Sequence, residues 1–391
     1  MSLSLSRRAA LIQQSEIRNM SLECARVGGI NLAQGICDTE VPEVVRRAAQ
    51  AGVDEGFNIY SRYDGLAELR QALARKMGRH NHLEYDPESE IVVTIGATGA
   101  FYVSAVALLN PTDEVILFEP CYGYHVSTLL AVDAVPVFVS TAPPEWRFAP
   151  EDLERAITPR TRGIMINTPA NPSGKVFRRD ELALIADLAR RHDLFVFTDE
   201  VYEHFVFDGR EHVSPATLPG MRERAITISS LSKTLAATGW RLGWVAADRR
   251  WVRAFGPLND LFYVCAPAPL QIGAARGLEA LGPEYYAGMI REYQAKRDQL
   301  CAALDRAGLP PYRPEGAYYV LADVSRLPGE TGKERAMYLL RKTGVASVPG
   351  EAFFRGPEGH ALARFCFGKT EADLDEACRR LVRVARDQLI T

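Results

Sequence analysis

The sequence lacks the cysteine and histidine patterns that mark disulfide frameworks and metal sites. Its seven cysteines are odd in number and widely spread, and no two of them have C-x-x-C spacing. The only closely spaced histidines, His80 and His82, lie in a polar stretch, R-H-N-H, that predicts a loop. We therefore expect no bound metal ion, and we expect reduced thiols in the cytoplasm.

Long apolar runs and an excess of charge of one sign are also missing. Apolar segments are much shorter than a membrane span requires, and residues 1–14 contain no apolar core of a signal peptide. The 46 basic and 49 acidic side chains leave a net charge of -3, which gives no reason to expect a nucleic acid or a membrane as partner. No G-x-G-x-x-G follows an early strand, which disfavours a nicotinamide dehydrogenase.

What the sequence has instead is a series of apolar segments that alternate with stretches of helical length. At 391 residues the chain predicts two domains rather than one. The apolar segments lack the alternation of a half-exposed sheet, so they predict a mainly parallel sheet that helices cover on both faces. The predicted strands are 90–96, 114–120, 135–140, 163–169, 193–200, 224–230 and 242–248.

The character of the sequence changes after about residue 275. Long charged helices predicted at 283–307, 332–343 and 371–388 surround short strands at 317–323, 345–348 and 363–367, which is typical of a small α+β unit. We expect an α/β protein with a large domain and a smaller one built from both termini. The expected segments are 1–45 and 276–391 for the small domain, and 46–275 for the large domain.

Polar residues follow successive strands of the predicted large domain, at the edge where parallel sheets bind ligands. After the first strand G-A-T-G opens a helix, and the free amides of Ala97 and Thr98 suit a phosphate, although a capped glycine turn explains the same residues. After the second strand Tyr122 could stack on a flat ring or simply pack. Each of these signals is weak when taken alone.

Two further strand ends carry stronger signals. N-T-P-A-N-P-S-G contains Asn171, which is either part of a turn or a donor to a ring oxygen or a carboxylate. D-E-V-Y follows a very apolar strand, where a carboxylate is costly unless it is paired. Asp199 is therefore either a helix cap or the partner of a protonated ring nitrogen, and Tyr202 could bond a phenolic oxygen of that ring.

The most informative stretch is S-L-S-K-T-L-A-A-T-G-W-R-L-G, at residues 230–243. Lys233 could react there with a carbonyl cofactor whose phosphate Ser230 and Arg241 hold, or it could be a solvated loop lysine. Arg364 stands in an apolar strand, where it could clamp a carboxylate or reach solvent. The order of these residues along the chain and their occurrence together favour the functional interpretation, because together they are the groups that pyridoxal phosphate requires.

These residues resemble those of the class I/II aminotransferases, a family of fold-type I pyridoxal-phosphate enzymes. The resemblance runs from N-L-A-Q-G near residue 31 to R-F-C-F-G-K near residue 369, and its most specific parts are N-P-S-G, D-E-V-Y and the lysine stretch. It implies that Lys233 is the Schiff-base lysine, Asp199 the partner of the pyridine nitrogen and Tyr202 the partner of O3′. The residues that it implies around the phosphate and the ring are Ser230, Arg241, Ala97, Thr98 and Tyr122.

The resemblance also implies how the substrate is held. Asn171 matches the asparagine that contacts O3′ and the substrate carboxylate, and Arg364 matches the clamp on that carboxylate, helped by the backbone at Gly35. Tyr60 matches a tyrosine that relatives contribute to the phosphate site of the neighbouring subunit. A homodimer with two shared active sites is therefore expected.

One loop departs from the pattern of the family. Many relatives have Gly-x-Pro-Asp where this chain has G-I-C-D at 35–38, and that loop typically lies over the substrate side chain. No basic residue stands where dicarboxylate-specific relatives hold the distal carboxylate, so we expect a neutral, aromatic or polar amino acid rather than aspartate. The candidate lining residues are Ile36, Tyr124, His125, Phe262 and Tyr263.

The expected activity is transfer of an amino group between an L-amino acid and a 2-oxo acid. The motifs also permit a β- or γ-eliminating lyase or a cyclopropane-forming synthase, because these enzymes share Lys233 and Asp199. A non-catalytic regulator on the same fold is the remaining alternative, and the intact Lys233, Asp199 and Arg364 argue against it.

Overall fold

The computed structural model describes residues 3–388 as strands and helices around one large sheet. Over these residues the strands are Ile30–Asn31 (β1), Ile91–Ile95 (β2), Glu114–Glu119 (β3), Val135–Ser140 (β4), Thr161–Asn167 (β5), Phe195–Asp199 (β6), Ala225–Ser230 (β7), Leu242–Ala246 (β8), Pro311–Tyr312 (β9), Tyr319–Asp323 (β10), Val345–Ala346 (β11), Val348–Pro349 (β12) and Leu362–Cys366 (β13). The α-helices are Arg7–Leu11 (α1), Glu16–Arg26 (α2), Glu43–Asp54 (α3), Ala67–Lys76 (α4), Gly96–Leu108 (α5), Gly123–Ala131 (α6), Pro150–Arg155 (α7), Arg179–Arg191 (α8), Leu231–Thr234 (α9), Arg249–Tyr263 (α10), Ala268–Ala280 (α11), Pro283–Arg306 (α12), Gly332–Thr343 (α13) and Glu371–Gln388 (α14). No helix in the described range combines the length and the apolar character needed to cross a membrane.

The large sheet has seven strands in the order β2-β8-β7-β6-β5-β3-β4. β8 runs antiparallel to both of its neighbours, and the other neighbouring pairs are parallel. The prediction of a mainly parallel sheet is confirmed, and each of the seven predicted strands overlaps an observed one. The parallel register sets Asn167, the last residue of β5, beside Asp199, the last residue of β6.

Both faces of the sheet are buried along its inner strands, as the unbroken apolar segments predict, whereas the edge strand β4 is only partly buried. Along β3, Val115 and Leu117 pack in one cluster with residues of α5 and α10, whereas Ile116 and Phe118 pack in another with residues of α8. The clusters alternate because successive side chains of a strand point to opposite faces. The strand ends are therefore the part of the sheet that a ligand can reach.

A smaller unit is built from both ends of the chain. β12, β13, β10 and β9 form an antiparallel sheet in that order, and α12 packs against both β10 and α14. β1 pairs in parallel with β11, so the N-terminal segment joins the C-terminal one. Two strands replace the single one predicted at 345–348, because Val345 pairs with β1 whereas Val348 pairs with β13.

Several helices, α1, α2, α10 and α11, have no counterpart among the predictions from sequence. α2 begins after a Ser15 cap whose hydroxyl accepts a hydrogen bond from Ile17 N, and its buried residues are only Met20 and Cys24. So narrow a buried stripe gives a weak apolar periodicity. α10 has Pro257 in its interior, and an interior proline ordinarily indicates a helix break.

A buried polar network follows α4, which residues 77–81 continue as a π-helical turn. The loop predicted at His80 is therefore wrong. His80 stacks on His204, with ring centroids 3.9 Å apart. Beside them the ammonium of Lys76 lies 2.5 Å from one carboxylate oxygen of Glu203, whose other oxygen accepts a 2.6 Å bond from Asn81.

This network also gathers side chains of metal-binding type that sequence spacing does not reveal, because they are far apart in the chain. The two sets whose ligand atoms lie within 4.8 Å of one another are His80, Glu203 and His204, and Glu200, Glu203 and His212. Both oxygens of the Glu203 carboxylate are already engaged by Lys76, Ser229 and Asn81. The negative charge of Glu203 is thus compensated by protein groups.

Glu203→Ala is expected to lower the free energy of unfolding by about 3–5 kcal/mol, because it leaves the Lys76 ammonium buried without a counter-charge. Burial raises the pKa of the Glu203 carboxyl, but Lys76 and the neighbouring His204, His80 and His212 together hold that pKa below its usual range. The stabilisation is therefore fully present above pH about 4.3 and is lost as the pH falls through the lowered pKa. Urea denaturation followed by circular dichroism measures the change.

The double variant Lys76→Met/Glu203→Leu is the matched test of this explanation. It should recover most of the lost stability, since it leaves no buried charge unpaired. As a control, removal of the exposed Glu55 carboxylate, which pairs with Arg276, should leave the free energy of unfolding almost unchanged. A double variant as unstable as Glu203→Ala would contradict the electrostatic explanation.

Candidate active site

A cavity of about 740 Å³ opens where the parallel strands of the large sheet end. Its walls contain almost all of the candidate residues that the sequence identifies. Those in the walls are Gly35, Ile36, Ala97, Thr98, Tyr122, Tyr124, His125, Asn171, Asp199, Tyr202, Ser230, Lys233, Arg241 and Arg364. The fold thus brings residues of the large sheet together with residues from both ends of the chain.

Lys233 lies in the short helix α9, directly after β7. Its Nζ donates a hydrogen bond of 3.1 Å to Gly35 O and lies 5.8 Å and 5.7 Å from the ring centres of Tyr202 and Tyr318. Burial lowers the pKa of the Lys233 ammonium below its ordinary value. A lowered pKa favours the neutral amine, which is the form that attacks a carbonyl or accepts a proton.

The loop that receives this hydrogen bond requires a glycine at position 35. A Cβ on Gly35 would lie 1.8 Å from Tyr319 Oη, which is far inside any contact distance. The Gly35 carbonyl accepts hydrogen bonds from Lys233 Nζ and, at 3.2 Å, from Tyr318 Oη. The backbone of the loop therefore fixes the resting position of the lysine.

Asp199 ends β6 with a buried carboxylate that lines the cavity. Its Oδ2 lies 2.8 Å from His125 Nε2, and its Oδ1 accepts a 3.3 Å bond from Val201 N. The sequence suggests His125 as a substrate contact, whereas the structure bonds it to Asp199 and packs its ring edge-on against Tyr122. A carboxylate held in this way can keep a proton on the nitrogen of a bound ring.

Tyr202 and Tyr319 share a hydrogen bond, with their hydroxyl oxygens 2.8 Å apart. Burial raises the pKa of the Tyr202 phenol well above its ordinary value, so the hydroxyl stays protonated near neutral pH. The Tyr319 ring also lies 4.2 Å from the guanidinium carbon of Arg364. Tyr319, which no motif singles out, therefore connects the phenol of Tyr202 to the arginine.

Amides, a hydroxyl and a guanidinium meet in one part of the cavity. Ala97 and Thr98 lie in the first turn of α5, where backbone amides have no partner within a helix. Ser230 ends β7, and Arg241 precedes β8 with a left-handed φ of 56°. A Cβ on Gly96 would lie 2.3 Å from Arg241 Nη2, so glycine leaves the room that the guanidinium occupies. This donor set fits a phosphate group.

Arg364 lies in β13 and its side chain is fully buried. Its Nη1 donates a 2.7 Å bond to Asn171 Oδ1 and its Nη2 a 2.6 Å bond to Ala33 O. Among the residues that the structure describes, Nε is buried with no hydrogen-bond partner. Asn171 is itself held by a 2.7 Å bond from its backbone N to Asn167 Oδ1. A buried cation with an unpaired donor fits an anion such as a carboxylate.

The chemistry of these groups fits pyridoxal phosphate together with an amino acid. The amine of Lys233 can bond an aldehyde, and the carboxylate of Asp199 can pair with a pyridine nitrogen. The phosphate donors lie in the same cavity, and the unpaired Nε of Arg364 remains for the carboxylate of a substrate.

Comparisons with known proteins agree with this chemistry. The sequence profile of the family Aminotransferase class I and II matches residues 27–381. The probable N-succinyldiaminopimelate aminotransferase DapC of Mycobacterium tuberculosis is 38% identical over 373 residues, covering 93% of this chain and 94% of that protein. The chain belongs to the class I and II aminotransferase family.

Other relatives support the same placement of this aminotransferase. Aromatic-amino-acid aminotransferase 2 of Thermococcus litoralis is 34% identical, with 99% of each chain covered. The solved structure of N-succinyldiaminopimelate aminotransferase from Mycobacterium tuberculosis matches with a TM-score of 0.94 at 36% identity, over 98% of this chain and 100% of that one. The protein is thus a pyridoxal-phosphate-dependent enzyme of fold type I that acts on an amino acid and a 2-oxo acid, as its motifs predict.

Some predicted residues of the aminotransferase lie outside the cavity of the described chain. The Tyr60 side chain is 80% exposed. Phe262 and Tyr263 end α10, where the ring of Phe262 packs 5.0 Å from that of Tyr102 in α5. Of the predicted substrate contacts, Ile36, Tyr124 and His125 line the cavity. Tyr60 could therefore contribute to catalysis only in the active site of another subunit.

Arg18 is a cavity residue that sequence reasoning missed. It lies in α2, and the wall of the cavity includes this residue together with Ser15, Ser21 and Leu22. No motif contains Arg18, and the helix itself gives little periodic signal. Only the three-dimensional fold brings it to the site.

Proposed function

We propose that this aminotransferase moves an amino group from an L-amino acid with a neutral, aromatic or polar side chain to a 2-oxo acid, with Lys233 as the group that binds the cofactor aldehyde and transfers the proton. The observation that supports the proposal best is the convergence of the Lys233 amine, the Asp199 carboxylate and the Arg364 guanidinium in one cavity. When bound there, pyridoxal phosphate supplies an electron sink for the charge that develops at the substrate Cα.

The substrate is oriented by groups around Arg364. Its guanidinium and Asn171 bind the substrate carboxylate, with the backbone at Gly35 helping, and this fixes the Cα–H bond toward Lys233. The amine of Lys233 would accept the proton from the substrate Cα and would donate it at the cofactor carbon C4′. The lowered pKa of Lys233 supports this role, because it favours the neutral amine, which is the form that accepts a proton.

Groups on three sides would hold the cofactor. Asp199, which is hydrogen-bonded to His125, would keep the pyridine nitrogen protonated, and Tyr202 and Asn171 would bond O3′. Tyr122 would stack on the ring. The residues that bind the phosphate in this proposal are Ala97, Thr98, Ser230 and Arg241, with Tyr60 of a second subunit.

We assign the amino donor as a class of amino acids, defined by the character of the side chain. The relatives differ in what their names say they act on, from N-succinyldiaminopimelate to aspartate and to aromatic amino acids. The wall that faces the substrate side chain includes Ile36 and Tyr124, and the position of Thr98, where dicarboxylate-specific relatives carry a base, has no charge. This combination favours neutral, aromatic or polar donors over aspartate.

The assembly is proposed to be a homodimer in the cytoplasm, with a large domain of residues 46–275 and a small domain of 1–45 and 276–391. Ile59, Tyr60 and Leu261 are 81%, 80% and 75% exposed, and apolar side chains exposed to this extent support a covered surface. The pairing of β1 with β11 supports the composition of the small domain. Sedimentation equilibrium tests the dimer, and a monomer at micromolar concentration would contradict it.

The test of the proposed function is a panel of amino acids mixed with the purified holoenzyme. Conversion of the cofactor to its amine form is followed by absorbance, and pyruvate or 2-oxoglutarate is then added to reverse it. A donor that drives conversion, and an oxo acid that reverses it, are the expected results. Ammonia and an oxo acid formed without accumulation of the amine form would instead indicate a β- or γ-lyase.

A further inference from the structure

Two buried tyrosines, Tyr202 and Tyr319, share a hydrogen bond in the wall of the active-site cavity. Both line the cavity, and they are only 4% and 2% exposed. Their hydroxyl oxygens lie 2.8 Å apart, and their rings are nearly perpendicular, at 84°. The proposed function uses Tyr202 to bond O3′ and gives Tyr319 no part. Tyr319 is therefore a polar group of the cavity without an assigned contribution.

The register of the small sheet places Tyr319 beside Arg364. In the antiparallel pair of β10 and β13, Tyr319 lies opposite Cys366 and Leu321 lies opposite Arg364. Residues two apart on a strand share a face, so Tyr319 and Arg364 are diagonal neighbours, within reach of an aromatic and a long side chain. The guanidinium carbon lies 4.2 Å from the ring centre of Tyr319 and 4.9 Å from that of Phe353. The two rings therefore support the guanidinium through cation–π contacts.

The hydrogen bond between the two hydroxyl groups has a direction that a bound cofactor would fix. Each phenol has a single proton to donate. If Tyr202 donates its proton to O3′, the bond between the tyrosines has to be donated by Tyr319. Burial raises the pKa of both phenols, so both keep their protons near neutral pH. The neighbouring phenol of Tyr318 donates to Gly35 O instead.

The ionisable groups that face this pair of phenols belong to several elements. They are Tyr122 before α6, Lys233 in α9, Tyr318 before β10, and Arg364 and Cys366 in β13. The positive charge of Arg364 favours the ionised form of both phenols, but burial has the larger effect. Tyr319 is therefore a neutral donor toward Tyr202.

We propose that Tyr319 is a positioning residue that acts on the cofactor through Tyr202 and on the substrate through Arg364. This inference rests on the proposed function, in which Tyr202 bonds O3′ and Arg364 binds the substrate carboxylate. The Tyr319 hydroxyl donates to Tyr202 Oη and leaves the Tyr202 proton for O3′. This donation strengthens the bond to O3′, because hydrogen bonds in a chain polarise one another. The Tyr319 ring holds the guanidinium of Arg364 in place for the carboxylate.

The hydroxyl is tested by Tyr319→Phe, which keeps the ring. The readout is the pH midpoint of the change in visible absorbance of the holoenzyme without substrate. This midpoint follows the proton shared by O3′ and the Lys233 nitrogen that bonds the cofactor. Weaker donation from Tyr202 leaves more negative charge on O3′, so the proton is held more tightly and the midpoint should rise by about half a pH unit. An unchanged midpoint would overturn the proposal.

A double variant shows whether the effect passes through Tyr202. Tyr202→Phe should raise the midpoint more than Tyr319→Phe does, because it removes the donor to O3′ itself. In the Tyr202→Phe background, Tyr319→Phe should cause no further shift. Additive shifts would overturn the proposal, because Tyr319 would then act on the cofactor by another route.

The ring is tested by Tyr319→Leu, with Phe353→Leu as a matched variant. Calorimetry on the holoenzyme measures the dissociation constant of 3-phenylpropionate, which has a carboxylate but no amino group. Each substitution removes one ring from the guanidinium and should raise this constant about fivefold, whereas Tyr319→Phe should leave it unchanged. An unchanged constant in Tyr319→Leu would contradict the role of the ring.

Phe353→Leu is also the control for the pH midpoint. Phe353 is not among the residues that line the cavity, so its substitution should weaken binding of the carboxylate without moving the midpoint. Equal shifts of the midpoint in Phe353→Leu and Tyr319→Phe would overturn the proposal, because they would reflect a general disturbance of the site.

The two proposals fail in different ways. A holoenzyme without a band that borohydride reduces, or a midpoint that Tyr202→Phe does not change, would contradict the proposed function itself. A midpoint that Tyr202→Phe shifts and Tyr319→Phe does not shift would contradict only the assignment of Tyr319.

Discussion

Lys233→Ala is expected to slow amino transfer by about 10⁴-fold, because it removes both the group that bonds the aldehyde and the base that moves the proton. The phosphate donors and the Asp199 carboxylate remain, so the variant should still bind the cofactor, though without a band that borohydride reduces. Single-turnover absorbance with an amino donor measures the rate. Turnover within tenfold of the unchanged enzyme would contradict the role of Lys233.

The control for this prediction is Lys233→Arg. Arginine keeps a positive charge in the cavity but cannot lose its proton, so it can neither bond the aldehyde nor serve as the base. We expect it to be as inactive as the alanine variant, which would separate the effect of charge from that of the amine. Substantial activity in Lys233→Arg would mean that charge alone is what the site requires.

Asp199→Asn is expected to lower kcat about 10³-fold with little change in KM, because it removes the charge that keeps the pyridine nitrogen protonated. The amide has nearly the same shape, so the cavity should keep its form. The hydrogen bond to His125 can persist, since an amide oxygen also accepts. Steady-state kinetics with the best donor measure the two constants.

The matched control is Asp193→Asn, which changes an exposed aspartate just before the start of the same strand, β6. That carboxylate pairs with Arg224 and is not among the cavity residues, so kcat should not change. Loss of cofactor would also lower the apparent kcat and leave KM unchanged, so it must be separated from loss of the charge. Measuring the cofactor content of the purified variant distinguishes these cases.

Features that are local in the sequence could be predicted from it. β6 is a run of apolar residues that ends in Asp199, so one segment reveals both the strand and the group at its end. The stretch 230–243 likewise contains a lysine, a serine and an arginine within fourteen residues. The two covered faces follow from the same apolar pattern, because unbroken apolar strands are typical of a mainly parallel sheet that is buried on both sides.

Features that depend on long-range packing could not be predicted in this way. Glu203 and Asn81 are 122 residues apart, and neither is unusual where it stands. Tyr319 has the pattern of an ordinary aromatic residue in a strand, although its hydroxyl bonds Tyr202. Arg18 belongs to a helix with only two buried residues, so neither periodicity nor a motif marks it. These residues acquire a role only from the neighbours that the fold gives them.

The pairing of β1 with β11 has a consequence for the order in which the protein becomes active during synthesis. The ribosome makes the strand next to the Gly35 loop long before the partner of this strand, which begins at Val345. Arg364 follows still later. A nascent chain can therefore fold the large sheet and form its phosphate-binding groups well before it can bind a substrate.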